Sequence, residues 1–318
     1  MSRFLVLEFG SKSLKVHRRS ENGQFEKATI AWTLGHEVYR DGRISTSTRE
    51  RVAKVLAALV ARGFRREGML AIATGAVRDA PDREEFIQFL RQEQKLGVRV
   101  LSGREEASLL AQGFLEASGE RPALVADIGG GSLEMVYLGA DRTALRDSLP
   151  LGAIRLHYLG AEPGGRFARP LVSEYIESTL REASVMEIPR IHATGGPVKA
   201  IARALGRDRL GRDDLLRLEE QVARDGPPDG LSVERRRIFL PGLMALRRLI
   251  EHCRAEYLHY LSIPIGRIFL ERFLGQVREG LQTKLNVELL QGMRLTQLHC
   301  PEPARDAERE AGSKSPRP

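Results

Sequence analysis

A short glycine-rich segment flanked by two carboxylates has the composition that phosphate chemistry requires. Residues 127–134 read Asp-Ile-Gly-Gly-Gly-Ser-Leu-Glu and follow the apolar run 123–126. Glycine N–H groups can converge on an anion with no Cβ in the way. Asp127 and Glu134 are suited to hold a hard cation or to orient a water molecule. A plain hairpin turn needs fewer glycines, so we interpret the segment as a phosphate-binding loop formed by Gly129, Gly130, Gly131 and Ser132.

The beginning of the chain repeats this arrangement. An apolar run, 4–7, leads into Glu8 and then into a Gly/Ser turn, after which a second strand-like run begins at Leu14. Alone, this unit is explained equally well as a hairpin turn. Together, the two strand–acid–glycine units predict two related halves with one phosphate loop on each wall of a cleft. The predicted phosphate-binding residues of the first loop are Gly10, Ser11, Lys12 and Ser13.

Further segments follow in an order that resembles a known family. They lie at 34–45, 71–80, 101–107, 149–156 and 193–196, and they include AIATGAVRDA, LSGREEA, LPLGAIRL and ATGG. With DIGGGSLE, these segments resemble the ordered motifs of the exopolyphosphatase/guanosine pentaphosphate phosphatase family (Ppx/GppA). That family belongs to the superfamily of actin, sugar kinases and chaperone ATPases. The resemblance extends along almost the whole chain, to about residue 300.

The resemblance implies an α/β fold with two actin-like (ribonuclease H-like) domains, whose mixed sheets flank a central cleft. We place the N-terminal domain at 1–121 and the C-terminal domain at 122–300. The tail, 301–318, is rich in proline, serine and charge without periodicity, and is predicted to be disordered.

Hydrophobic patterning agrees with an alternating α/β order. Strands are predicted at 3–8, 13–19, 24–32, 69–74, 97–101, 123–127, 133–139, 143–149, 189–193 and 258–262. Helices are predicted at 47–63, 82–95, 103–118, 152–159, 171–184, 197–204, 212–223, 233–254 and 266–278. The helix over 103–118 is predicted to cross the interface between the two domains.

The resemblance also implies roles for individual side chains. Glu106, the second glutamate of the LSGREEA segment, would be the general base that activates water. From composition alone, acids at this point could equally stabilise a helix N-terminus. Arg78 would grip phosphate oxygens, although a surface ion pair with Asp79 or Asp82 also explains it. For Arg155, a structural role and a position that faces phosphate are equally favoured.

The remaining implied site residues concern the metal and the last turn. Glu8, Asp127 and Glu134 would hold Mg²⁺, which would neutralise charge that develops on phosphate. Gly195 and Gly196 would add backbone donors to the phosphate site.

The chain departs from the family pattern at several of these positions. Glu8 replaces an aspartate, Lys12 an asparagine and Lys15 an arginine, while Gly75 replaces a serine. Lys12 would either bind a phosphate or fill the metal or water site, and we expect Glu8 to hold it aside in an ion pair. Pro197 removes donors from the late turn, and Ile263-Pro264 stands where the family has an acid and a glycine. These changes favour a second hypothesis, a sensor that binds without hydrolysis.

Composition limits the class of protein and of partner. The chain has 318 residues, 42% of them hydrophobic, with a net charge of +8 and a pI near 9.8. A basic body favours a polyanionic partner, whereas sparse aromatic residues and the lack of a nucleic-acid motif disfavour nucleic acid. Two separated cysteines and the lack of a leader or a long apolar run predict a cytoplasmic protein that does not span a membrane.

We therefore expect a phosphoanhydride hydrolase that releases terminal phosphate from inorganic polyphosphate, from guanosine pentaphosphate, or from both. Neither loop distinguishes these substrates, because both present a chain of phosphates. An actin-like ATPase or small-molecule kinase is a third hypothesis, disfavoured by the paired glutamates at 105–106. The resemblance also suggests a homodimer.

Overall fold

Two mixed β-sheets with flanking helices make up the protein. The computed structural model describes residues 4–20, 22–140, 143–183, 187–263 and 265–278. Pro264 and the predicted tail lie outside the described residues. The arrangement confirms the prediction of an α/β fold with mixed sheets.

The first sheet has the strand order β3-β2-β1-β4-β5. Its strands are β1 (Leu5–Phe9), β2 (Ser13–Arg19), β3 (Phe25–Ala31), β4 (Met69–Ala73) and β5 (Gly97–Val100). The first three form an antiparallel meander, and β4 and β5 continue the sheet parallel to β1. Strand β1 is buried along its whole length, because helices and strands cover both of its faces.

The second sheet repeats this order. Its strands are β6 (Ala123–Ile128), β7 (Leu133–Leu138), β8 (Thr143–Leu149), β9 (Arg190–Thr194), β10 (Arg209–Gly211) and β11 (Tyr257–Tyr260), arranged as β10-β11-β9-β6-β7-β8. Strand β6 pairs antiparallel with β7 and parallel with β9, as β1 does with β2 and β4. The central strands β1 and β6 therefore occupy equivalent places, as the repeated sequence unit predicted.

The helices surround the two sheets. They are α1 (Leu34–Asp41), α2 (Thr46–Ala61), α3 (Gly75–Asp79), α4 (Arg83–Gln88), α5 (Gly103–Ala117), α6 (Ala153–Gly160), α7 (Arg169–Glu182), α8 (Gly196–Leu205), α9 (Arg212–Asp225), α10 (Val233–His252) and α11 (Ile265–Arg278).

Three local features differ from the predicted elements. Helices α1 and α3 were not predicted, because they are short and begin within glycine-containing segments that indicate turns. The helix predicted at 82–95 is α-helical only to Gln88 and continues as a π-helical turn, Phe89–Glu93. The short strand β10 was also missed.

Helix α5 lies between the two sheets. Leu109 packs with Val6 and Ile72 of the first sheet, whereas Leu110 and Phe114 belong to a cluster with Val125 of the second. The helix therefore contacts both halves, as predicted for the segment 103–118.

The last described helix, α11, returns to the first half of the chain. Ile268, Phe269 and Leu270 are almost fully buried in the same cluster as Val6 and Ile72. The predicted division at residues 121 and 122 separates the two sheets, but α11 packs on the first one; the domain limits themselves stay a prediction. Within the described ranges, no helix is both long and apolar enough to cross a membrane.

The return of α11 can be tested with two leucines that lie in helices but differ in burial. Leu270 is 1% exposed and Leu171 of α7 is 50% exposed. Leu270→Ala should lower the free energy of unfolding by about 2–5 kcal/mol, since it leaves a cavity between α11 and the first sheet. Leu171→Ala should change it by no more than about 0.5 kcal/mol. Urea unfolding of both variants measures the difference, and equal losses would contradict the docking of α11.

Candidate active site

The acidic residues of the two hairpins occupy matching positions in the two sheets. In the first hairpin Glu8 of β1 lies directly opposite Lys15 of β2, and in the second Asp127 of β6 lies opposite Glu134 of β7. Side chains directly opposite on antiparallel strands are close neighbours. One hairpin thus pairs an acid with a base, while the other places two acids face to face.

Glu8 is held by two cationic or protonatable partners. Lys15 forms an ion pair with Glu8 Oε1, and His17 Nε2 lies 3.0 Å from Glu8 Oε2. A Cβ on Gly266 at the start of α11 would lie 2.7 Å from Glu8 Oε2, so the helix closes over this carboxylate. Burial alone would raise the pKa of Glu8, but the Lys15 charge and the His17 hydrogen bond lower it to about 2. Glu8 is therefore ionised and already neutralised.

The second hairpin lacks such compensation. Burial, followed by the negative charge of Glu134, raises the pKa of Asp127 to about 7. Burial also raises the pKa of Glu134, against the opposing hydrogen bonds of Ser132 and Ser148. The Ser148 hydroxyl donates to Glu134 Oε1 over 2.9 Å. This pair of carboxylates attracts positive charge.

Glu106 completes the group of buried acids. Its pKa is raised well above the usual value, first by burial and then by the charge of Glu134, while Arg78 opposes the shift. Arg78 forms an ion pair with Glu106 and donates from Nη1 to the Leu101 carbonyl at 3.0 Å. The predicted base and the predicted phosphate-binding arginine are therefore in direct contact.

The neighbouring glutamate has a different role, which the structure separates clearly. Ser102 caps α5 by accepting from the Glu105 N–H, and Glu105 accepts in return from the Ser102 N–H at 2.7 Å. Glu105 also pairs with Arg99. Glu105 is thus occupied with capping, and Glu106, the next residue, turns into the site.

The two predicted phosphate loops lie against each other. A Cβ on Gly130 would lie 2.8 Å from Ser11 Cβ, and one on Gly131 would lie 3.2 Å from Ser11 Oγ. The Ser11 hydroxyl also accepts from the Ala76 N–H at 3.1 Å, and a Cβ on Gly75 would come within 2.9 Å of it. The glycines at 75, 130 and 131 therefore lie where the two walls of the cleft meet, and a side chain at 75 would require the Ser11 hydroxyl to shift.

Arg155 connects the second loop to the first half. Its Nε donates to the Gly131 carbonyl at 2.9 Å, and its Nη2 pairs with Asp79. Tyr39 donates to the same carboxylate at 2.8 Å, and its ring lies 4.7 Å from the guanidinium carbon. The structure therefore gives Arg155 a positioning role between the loops.

The late glycine turn also lies in this site. Thr194 is paired with Asp127 across β6 and β9, and Gly195 adopts a positive φ of 105°. A Cβ on Gly195 would lie 2.6 Å from Asp127 Oδ1. Gly195 and Gly196 open α8, so the N-terminal end of this helix adjoins the acidic group. The first loop contributes a further turn, in which the Gly10 N–H donates to the Ser13 carbonyl at 3.1 Å.

Lys12 does not pair with Glu8, so the expected ion pair between them was wrong. Lys15 takes that place, because residue 15 faces Glu8 across the hairpin whereas residue 12 lies in the turn. Burial and the charge of Arg235 lower the pKa of Lys12 to about 8, with Glu234 opposing. Lys12 therefore lies beside the start of α10, among other cations.

The predicted metal ligands fit a divalent cation only in part. Glu134 is a buried oxygen donor and Asp127 a partly buried one, both have raised pKa values, and carboxylate oxygens are the donors that hard cations prefer. Glu8 does not fit, because Lys15 and His17 engage both of its oxygens. Across the described part of the chain, no three Asp, Glu, His or Cys side chains form a ready-made metal site.

From the sequence, Lys15 was named only as a departure, and His17, Tyr39 and Ser148 were missed. Asp79 was named as a possible partner of Arg78, and Arg78 Nε lies 3.8 Å from Asp79 Oδ1. A signal for Lys15 was present, since 8 and 15 are spaced as 127 and 134 are in the equivalent hairpin. The contacts of Tyr39 and Asp79 depend on tertiary folding and left no local signal.

Comparison with known proteins agrees with this geometry. Residues 25–169 match the model of the Ppx/GppA phosphatase family. The matched range includes Arg78, Glu106 and the second phosphate loop, but it does not include the first loop. Exopolyphosphatase 1 of Mycobacterium tuberculosis is 32% identical over 138 residues, which cover 42% of this chain and 39% of that protein. The corresponding protein of Mycobacterium leprae is 34% identical over 123 residues, 37% of this chain and 36% of that protein. The chain thus spans well under half of the length of these curated relatives.

Solved structures show the same fold over a larger part of the chain. The Ppx/GppA family member of Aquifex aeolicus superposes with a TM-score of 0.65 at 20% identity, covering 86% of this chain and 98% of that one. An exopolyphosphatase from Cytophaga hutchinsonii gives a TM-score of 0.68 at 17% identity, with the same coverage. This similarity confirms the two-domain, actin-like fold class. By its match over residues 25–169 and by its fold, the chain is similar to the Ppx/GppA phosphatase family.

Proposed function

We propose that the protein is a phosphoanhydride hydrolase that releases terminal phosphate from inorganic polyphosphate. The observation that carries this proposal is the position of Glu106, which is buried beside Asp127 and Glu134 and paired with Arg78. A carboxylate with a raised pKa is suited to accept a proton near neutral pH. The curated relatives named exopolyphosphatase support the substrate class, and guanosine pentaphosphate is the alternative substrate with the same chain of phosphates.

Different groups in the site would bind phosphate, accept the proton of the attacking water and hold a cation. Backbone N–H groups of the two loops and of the α8 N-terminus bind and orient phosphate oxygens. Arg78 exchanges its ion pair with Glu106 for one with phosphate, since a guanidinium binds either oxyanion in the same manner. Glu106, released from this pair, accepts the proton of the attacking water. Asp127 and Glu134 would hold a divalent cation, for which we propose Mg²⁺, and the cation would offset phosphate charge.

A specific observation favours a second candidate, a sensor that binds phosphate chains without cutting them. The Lys15 ammonium lies among the site carboxylates, and Glu8 is engaged by Lys15 and His17. Incubation of the purified protein with polyphosphate or guanosine pentaphosphate, with and without Mg²⁺, separates the candidates. Release of phosphate supports the hydrolase, and tight binding without release supports the sensor. The cytoplasmic location and the homodimer stay predictions.

The general base can be tested with adjacent glutamates. Glu106→Gln should lower the rate of phosphate release by about 10²–10⁴-fold, because the amide cannot accept a proton. Binding of tripolyphosphate, measured by calorimetry, should stay close to that of the unchanged protein. Glu105→Gln is the matched control and should alter the rate by less than about threefold, since glutamine also serves in a capping box. Equal rates for both variants would exclude Glu106 as the base.

The charge state of Lys12 predicts how binding of tripolyphosphate depends on pH. With a pKa of about 8, Lys12 is charged below that pH and neutral above it. If its ammonium binds phosphate, affinity for tripolyphosphate should fall as pH rises beyond about 8, by up to about tenfold per pH unit. Lys12→Arg should flatten this dependence, because arginine stays charged throughout the range. Identical pH profiles for the two proteins would remove Lys12 from the binding site.

A further inference from the structure

A cavity lies behind Arg78, away from the two phosphate loops. It has a volume of about 480 Å³, is open to solvent on one side, and is lined by α4, the π-helical turn after it, the end of β5 and the start of α5. Its lining, among the described residues, includes neither of the two loops, 10–13 and 129–132, nor the acids Asp127 and Glu134. The cavity is therefore separate from the candidate active site, and Arg78 is common to both.

The lining of this cavity is dominated by arginine. Arg78, Arg83, Arg91 and Arg99 contribute to it, and Glu84 and Glu105 are its acids. Glu105 is committed to the α5 cap and to Arg99. Positive charge therefore exceeds negative charge among the side chains that line this open cavity, which favours an anionic ligand there.

Two of the arginines are incompletely or weakly paired. Arg91 donates from Nη2 to the Val98 carbonyl at 3.2 Å, but its buried Nε has no hydrogen-bond partner among the described residues. Arg83 pairs with Glu84 at 3.2 Å, where both side chains are largely exposed. An exposed ion pair of this kind is weak and easily exchanged. Arg83 also donates to the Arg78 carbonyl at 3.2 Å, which keeps the two arginines adjacent.

We propose that this cavity is a second oxyanion site, which takes inorganic phosphate or a short run of linked phosphates. Several guanidinium groups around one cavity match the tetrahedral, multiply charged oxygens of phosphate, and arginine forms bidentate bonds with them. The volume lies within the range of ligand pockets and exceeds the needs of a single ion.

The cavity is linked to the cleft through one side chain. Arg78 pairs with Glu106 on one side and lines the cavity on the other. An anion in the cavity therefore competes with Glu106 for the same guanidinium. This link to hydrolysis rests on the proposed function, whereas anion binding in the cavity does not.

The test combines calorimetry with hydrogen–deuterium exchange on the full chain. Inorganic phosphate or tripolyphosphate should slow exchange in residues 83–105, and Arg91→Gln should remove this protection and weaken the corresponding binding by at least about tenfold. Arg83→Gln, at a largely exposed position, should act in the same direction and guards against misfolding of the first variant. Arg51→Gln, an exposed arginine of α2 outside the cavity, is the matched control and should change nothing.

The outcomes identify both the ligand and the site. Protection by inorganic phosphate assigns the cavity to the released product, and protection by tripolyphosphate alone assigns it to a stretch of the substrate chain. Protection of residues 127–134 reports on the cleft separately, so failure of the proposed function is recognised independently. If neither anion protects residues 83–105, or if Arg83→Gln and Arg91→Gln both bind as the control does, the proposal is wrong.

Discussion

The burial of several carboxylates in one site is the constraint on which the rest of the structure depends. Glu8, Glu106, Asp127 and Glu134 are enclosed by both halves of the chain, and ionised acids at such positions are costly without positive charge. The two halves meet this cost differently. The first half supplies Lys15, His17 and Arg78, which pair with Glu8 and Glu106. Among the described residues, Asp127 and Glu134 have no such partner in an ion pair, and their pKa values stay raised. A positive charge placed beside the second hairpin would therefore stabilise the ionised carboxylates more than one placed beside the first.

The glycines of the second loop are required for close packing against the first half of the chain, and not only for contact with a ligand. Their number indicates contact with a ligand, yet Gly130 is required by the approach of Ser11 and Ile154, and Gly131 by that of the Tyr39 hydroxyl. Gly75 lies at the same contact, since a side chain there would meet the Ser11 hydroxyl. The loops are thus fitted to each other, with Arg155 and Asp79 fixing their separation. Phosphate donors that are already positioned lose little entropy when they bind.

Much of this arrangement could be predicted from the sequence because it depends on local order. Strand, acid and glycine follow each other directly in both hairpins, so the loops, the central strands and the position of Glu106 after a capping serine were all accessible. The partner of Glu8 was not predicted correctly, because the choice between Lys12 and Lys15 depends on hairpin register rather than on sequence distance. The role of Arg155 depends on the packing of α6 against both loops, and the cavity behind Arg78 depends on where α4 gives way to a π-helical turn. Neither leaves a periodic signal.

The return of α11 has a mechanical consequence. The chain passes between the two sheets twice, once after α5 and once between β11 and α11. Gly113 of α5 leaves room for Ile263 and Ile268, since a Cβ there would lie 2.6 Å from the Ile263 methyl group. The two connections therefore lie side by side, so any relative movement of the two sheets has to be accommodated in both of them at once. Such a movement would separate the two loops, and under the proposed function a phosphate chain bound by both loops would oppose their separation.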